Sequence, residues 1–186
     1  GRSEGEEPDL ASGSRTMERD ASLVLRRVLE QCGEKVVVIA YSAGNNAVIR
    51  ELHQAHSTYA RGRVAAYVNL SMGTRAMALT RDDAADALGS KEPDYTLLPP
   101  DVLQMNDELD VPSLFVVGRS DLMTPLVDIL AITQRKTRRR PAELQELPGK
   151  HAFGGVEDRP AEAIKAFLLR VLATGAMAPA SAVARP

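Results

Sequence analysis

Three residues of this chain have the types and spacing for nucleophilic acyl chemistry: Ser42, Asp121 and His151. A serine hydroxyl attacks a carbonyl carbon when a base removes its proton, and an imidazole serves as that base when a carboxylate fixes its tautomer. Ser42 lies in Ala40-Tyr41-Ser42-Ala43-Gly44, directly after the apolar run Val36-Val37-Val38-Ile39 and ahead of a helical pattern. A strand-to-helix turn of this kind, a nucleophile elbow, holds its serine in a strained geometry with the hydroxyl exposed. Small residues two before and two after the serine avoid clashes in the turn, which accounts for Ala40 and Gly44. The N–H groups opening the next helix would face a developing negative charge, and the backbone N–H of Ala43 is the natural oxyanion donor. The competing reading of Ser42 is an ordinary helix N-cap.

The base and the acid must come from elsewhere, in the order serine, acid, histidine. Of the three histidines, His53 and His56 stand three apart on the helix after the elbow, where they face solvent or cover the sheet. A metal pair is the weaker reading, because no further ligand cluster accompanies them, and no metal or cofactor is expected. His151 instead follows the last strand, in Leu147-Pro148-Gly149-Lys150-His151-Ala152-Phe153. Asp121 closes Gly118-Arg119-Ser120-Asp121 after the third strand. Taken singly, Asp121 reads as a helix N-cap and His151 as a solvated loop residue. Together with Ser42 they place a hydroxyl, a carboxylate and an imidazole at one edge of a parallel sheet.

The elements that must position them alternate between strand and helix. Residues 1–16 read as loop, and an amphipathic helix spans Met17 to Gln31, ended by Gly33. Val36–Ala40, an unbroken apolar run rich in β-branched residues, suits a parallel strand covered on both faces. A helix from Ala43 to Tyr59 and a buried strand from Val64 to Leu70 follow. Residues 74–108 are mixed, with a short helix around Asp82–Leu88 and a Pro- and Asp-containing stretch. Ser113–Val117 is the third strand, Thr124–Lys136 a helix with Pro125 in its first turn, and Ala142–Leu147 a more polar strand suited to a sheet edge. A last helix from Arg159 to Leu172 carries Ile164, Phe167, Leu168 and Val171 on one face, and the Ala- and Pro-rich tail is expected to be disordered. This is an α/β pattern: a mainly parallel sheet of about four strands flanked by helices.

Composition narrows the partners. The 186 residues are 44% hydrophobic and 26% charged, with a formal net charge of -2, so nothing draws the chain to nucleic acid or an anionic surface. The run Arg135-Lys136-Thr137-Arg138-Arg139-Arg140 could hold phosphate, but a solvated helix end with well-placed cations is the stronger reading. No stretch has the roughly 18–20 apolar residues of a membrane span. The one cysteine, Cys32, reads as a small buried or half-buried apolar residue and suits a reducing compartment, so a cytoplasmic location is expected.

With these residues in place, the sequence resembles the α/β-hydrolase superfamily over nearly its whole length except the tail. Asp121 stands 79 residues beyond Ser42, and His151 a further 30 beyond Asp121. The G-x-x-D-x-x-x-P run from Gly118 to Pro125 is similar to the family's segment around its acid, and Gly149-Lys150-His151-Ala152 to its histidine loop. Gly1-Arg2-Ser3-Glu4-Gly5 is similar to the end of the G-x-G-x-S loop that follows the fourth strand in that family. The resemblance therefore implies a partial α/β-hydrolase fold over 1–173, with a small cap-like insertion at 74–108 and a disordered tail at 174–186. The family's first four strands, and the loop supplying its second oxyanion N–H, then have no counterpart. Val36–Ala40 would present an apolar edge, to be completed by a second chain or a missing N-terminal segment.

The resemblance implies a serine hydrolase acting on an ester or related acyl bond of a small molecule, through a Ser42–His151–Asp121 triad and an acyl-enzyme. Ala40 stands where the family more often has glycine. A serine at the elbow argues against the epoxide-hydrolase and dehalogenase branches, which use aspartate. Two alternatives stay open: an acyltransferase or thioesterase with the same triad, and a catalytically silent remnant that acts as an interaction protein.

Overall fold

The computed structural model describes residues 10–57, 62–72, 75–77, 95–97, 100–136, 142–156 and 158–173. Helix α1 (Leu10–Gln31) leads into strand β1 (Val36–Tyr41) and helix α2 (Gly44–Ser57). Strand β2 (Val64–Leu70), the short strands β3 (Arg75–Met77) and β4 (Tyr95–Leu97), and helix α3 (Pro100–Glu108) come next. Strand β5 (Ser113–Gly118), helix α4 (Leu126–Lys136), strand β6 (Ala142–Leu147) and helix α5 (Asp158–Ala173) complete the described elements. The main sheet has the order β1-β2-β5-β6, with every neighbouring pair parallel. β3 and β4 form a separate antiparallel pair.

Helices cover the two faces unequally. On one face Leu25 and Leu29 of α1, Ile49 and Leu52 of α2, Val102 of α3 and Ile129 and Ile132 of α4 pack on Val38, Ala40, Tyr67, Phe115 and Val117. On the other, Phe167 and Val171 of α5 close over Ala66, Val68, Leu114 and Val116. The central strand β5 is buried along its whole length, as an unbroken apolar parallel strand should be.

Several expectations need correction. α1 starts at Leu10 rather than Met17, because extending a nucleated helix through Ser and Gly costs far less than starting one. β1 is not covered on both faces: Val38 and Ala40 are buried, but Val37 and Ile39 are 37% and 52% exposed. It pairs with β2 alone among the described strands, so α5 stops short of its outer face. Pro100–Glu108 is a helix that the Pro- and Asp-containing stretch had hidden; Pro100 occupies the first position, where its missing N–H costs nothing. Cys32 is exposed just beyond the end of α1. Lys136 is fully buried rather than solvated, and its ammonium donates to the carbonyls of Asn106 (2.9 Å) and Leu109 (2.8 Å). Arg135 pairs with Asp107, so neither cation is free for a phosphate. The expected helix at Asp82–Leu88, Arg138–Arg140 and the tail at 174–186 lie outside the described residues.

Candidate active site

The C-terminal ends of β1, β5 and β6 deliver the three expected side chains to one place. Ser42 follows β1 directly, in a left-handed conformation (φ 50°) that non-glycine residues adopt only when the surroundings impose it. Its N–H donates to the Leu70 carbonyl (2.9 Å), which carries the β1–β2 ladder one residue past the strand. The hydroxyl lies 2.7 Å from His151 Nε2, and His151 Nδ1 lies 2.9 Å from Asp121 Oδ2. A carboxylate only accepts, so Nδ1 carries the proton and Nε2 offers its lone pair to the serine hydroxyl. Hydroxyl, imidazole and buried carboxylate in this series can move a proton off the oxygen as it attacks an electrophilic carbon.

Asp121 uses its two carboxylate oxygens differently. Oδ1 accepts the N–H groups of Met123 (2.9 Å) and Thr124 (3.1 Å), an Asx-type turn ahead of α4, while Oδ2 meets the imidazole. Its side chain is wholly removed from solvent. Three hydrogen bonds on two oxygens leave the carboxylate one orientation.

The histidine loop is held against the end of β5. Arg119 N–H donates to Leu147 O (2.7 Å), and Ser120 N–H to Gly149 O (2.9 Å). Gly118 is required by close approach, since a Cβ there would lie 2.6 Å from Lys150 O and 2.7 Å from Gly149 O. Gly44 is different: beyond its chain neighbours and its own helix backbone, nothing lies within 4 Å of an added Cβ. Crowding from the rest of the fold is therefore not the reason for glycine at that elbow position. Ala40 is buried beneath the turn, and Tyr41 lies beside the imidazole with ring centroids 5.4 Å apart. Partial burial of its ring, with a smaller effect from Asp121, raises the Tyr41 phenol pKa, so it stays protonated, and its hydroxyl makes a long 3.4 Å contact to His151 O.

Sequence reasoning did not single out Ser71 or Asn45. Ser71, also in a left-handed conformation (φ 44°) and fully buried, donates through Oγ to His151 O (2.9 Å). Its signal was its place at the end of β2, the one central strand whose C-terminal residue carried no assigned role. Asn45, three residues beyond Ser42, is fully buried under the elbow. His53 pairs with Glu108 of α3 (2.8 Å), away from these residues, and the side chain of His56 lies outside the described ones. Among the described residues, no group of three His, Cys, Asp or Glu side chains could hold a metal ion.

No protein-family model and no curated protein matches this sequence. Solved structures do match. A monoacylglycerol lipase from Paleococcus ferrophilus superposes with a TM-score of 0.61 at 15% identity, covering 83% of this chain and 76% of its own. An esterase from Pyrococcus furiosus gives 0.60 at 17%, covering 81% and 60%. Est1E from Butyrivibrio proteoclasticus, solved with ferulic acid bound, gives 0.59 at 16%, covering 81% and 66%. The chain thus spans 60–76% of the length of these structures. A hydrolase of the α/β superfamily from Xanthomonas campestris matches as well. Four parallel strands in this order, flanked by helices on both faces, give this chain the α/β-hydrolase fold.

Proposed function

We propose that this protein is a serine hydrolase of ester bonds in which Ser42 is the nucleophile, His151 the general base and acid, and Asp121 the residue that orients the imidazole. The observation that carries the reading is the hydrogen-bonded series Asp121–His151–Ser42, at 2.9 and 2.7 Å. Ser42 Oγ bonds to the acyl carbon as its proton passes to His151 Nε2, and the carbonyl oxygen takes up the negative charge, facing the Ala43 N–H. Collapse breaks the ester C–O bond, and the proton on Nε2 leaves with the alcohol. Water then attacks the acyl-serine, giving its proton to His151, and the acid departs as the proton returns to Ser42. The neighbouring lipase and esterases support an ester as the bond cleaved; the same series of groups would serve a thioester or an acyl acceptor other than water.

One observation favours a further condition. β1 leaves Val37 and Ile39 exposed beside an edge that no other described strand pairs with, a surface on which an additional strand can pair. A second chain or a preceding segment seated there would complete the sheet and could bring a second oxyanion donor. Among the described residues no helix is long and apolar enough to cross a membrane. A small acyl substrate is the proposed partner. A cytoplasmic location is part of the proposal. Hydrolysis of p-nitrophenyl esters from acetate to decanoate tests it: the wild-type chain turns over and Ser42→Ala does not. Equal rates in the two would end the reading.

A further inference from the structure

We infer that Asn45 is the positioning residue of the oxyanion donor: its buried amide fixes the plane of the Ser42–Ala43 peptide and so aims the Ala43 N–H. The inference rests on the reading of Ser42 as nucleophile and concerns how its turn is built. Asn45, in the first turn of α2, is wholly buried, where an unpaired amide would cost about 1–3 kcal/mol. Its Nδ2 donates to the carbonyls of Ser42 (3.0 Å) and Leu70 (3.2 Å). Its Oδ1 accepts the hydroxyl of Tyr67 (2.6 Å), which in turn accepts from Asn69 Nδ2 (3.3 Å). Turned over, the amide would set its oxygen against two carbonyls that cannot donate, so only this orientation satisfies the pocket.

The direction of donation separates this from helix capping. A capping side chain accepts N–H groups of the helix it begins. Asn45 donates backwards, to carbonyls that precede the helix. The Ser42 carbonyl also receives the Asn45 backbone N–H (3.1 Å), so both donors of one residue converge on it. That carbonyl shares its peptide with the Ala43 N–H. The unit is planar, and in the trans form the two groups point in opposite directions, so fixing one aims the other. Hydrogen bonds to the oxygen also polarise the N–H across the peptide. Among the described residues no backbone carbonyl accepts the Ala43 N–H. Leu70 O, which receives both Ser42 N–H and Asn45 Nδ2, ties the turn to the end of β2 and holds Ser42 in its left-handed conformation.

The test uses Asn45→Asp, which keeps an acceptor for Tyr67 and loses the side-chain N–H bonds to Ser42 O and Leu70 O, and Asn45→Ala in case the buried carboxylate prevents folding. Ser113→Ala is the control: it removes a buried side-chain bond to Val111 O (3.0 Å) at the start of β5, beside Tyr67 in the sheet but outside the hydrogen bonds of Asn45. In the Asn45 variants the Ser42 carbonyl 13C resonance moves upfield, and the Ala43 amide 15N resonance moves with it. On a p-nitrophenyl ester kcat falls roughly 10- to 100-fold with KM within threefold, less than full loss of an oxyanion donor because the backbone bond remains. Ser113→Ala loses stability but neither resonance position nor kcat. Unmoved resonances in both Asn45 variants would overturn the inference, as would a loss of kcat matched by Ser113→Ala. A wild-type chain that fails to label with a fluorophosphonate would remove the nucleophile reading instead, while the resonances report on the clamp itself.

Discussion

Gly118 ends β5 where the backbone of the histidine loop passes nearest the sheet. Alanine there would set its Cβ 2.6 Å from Lys150 O and 2.7 Å from Gly149 O, with Gly149 C at 3.1 Å. Gly118 itself has no left-handed φ, so the substitution acts through contact alone. Backbone carbonyls cannot swing aside as a side chain does. Reaching even 3.0 Å needs the loop to retreat by 0.4 Å, one residue from His151. The bonds Arg119 N–H to Leu147 O and Ser120 N–H to Gly149 O stretch with it. Overpacking of this kind costs about 1–3 kcal/mol in stability. A misplacement near half an ångström at a 2.7 Å proton-transfer contact lowers kcat roughly tenfold, given that 1 Å can cost about 100-fold. Urea denaturation and steady-state ester hydrolysis, with Gly154→Ala as an open-space control in the same loop, measure both. Gly118→Ala matching that control in stability and in kcat would refute the steric reasoning.

Asp121→Asn should keep the turn, because the retained Oδ1 still accepts Met123 and Thr124, but it presents an amide to the imidazole and reverses the tautomer. We expect kcat to fall by roughly 10⁴ with little change in the urea midpoint. Ser71→Ala removes the bond to His151 O (2.9 Å), and should cost about 1 kcal/mol by urea titration together with a severalfold drop in kcat. Burial pushes the Lys136 ammonium down to about 8 from 10.5, against the smaller opposing effects of Asp107 and Asp110. Between those values the unfolded chain holds the proton and the folded chain has released it, so this group makes stability rise with pH. Relative to Lys136→Met, the wild-type chain should therefore gain up to about 3 kcal/mol between pH 8 and pH 10.5, read as a pH series of denaturation midpoints.

Much of this site was legible in the sequence because each signal was local. The apolar run before Ala40-Tyr41-Ser42-Ala43-Gly44 marks a strand entering a sharp turn, and Asp121 and His151 each follow a strand of the same parallel sheet. Parallel strands present all their C-terminal ends on one side, so topology brings together residues far apart in the chain. What stayed hidden depends on neighbours rather than on pattern. Val36–Ala40 reads as buried on both faces because apolar periodicity records the residues and not their cover, yet Val37 and Ile39 have none here. Lys136 belongs to a basic run, and the carbonyls of Asn106 and Leu109 at the end of α3, which accept its ammonium, explain its burial. Asn45 looks like any polar residue near a helix start until the carbonyls of Ser42 and Leu70 are set beside it.

The proposed function stands or falls on Ser42 being an activated nucleophile. Labelling the wild-type chain with a fluorophosphonate and locating the adduct by peptide mass spectrometry tests it most directly. One adduct is expected, on Ser42, that disappears in Ser42→Ala and forms much more slowly in Asp121→Asn. An adduct on another residue, or none under conditions that label a known serine esterase, would contradict it.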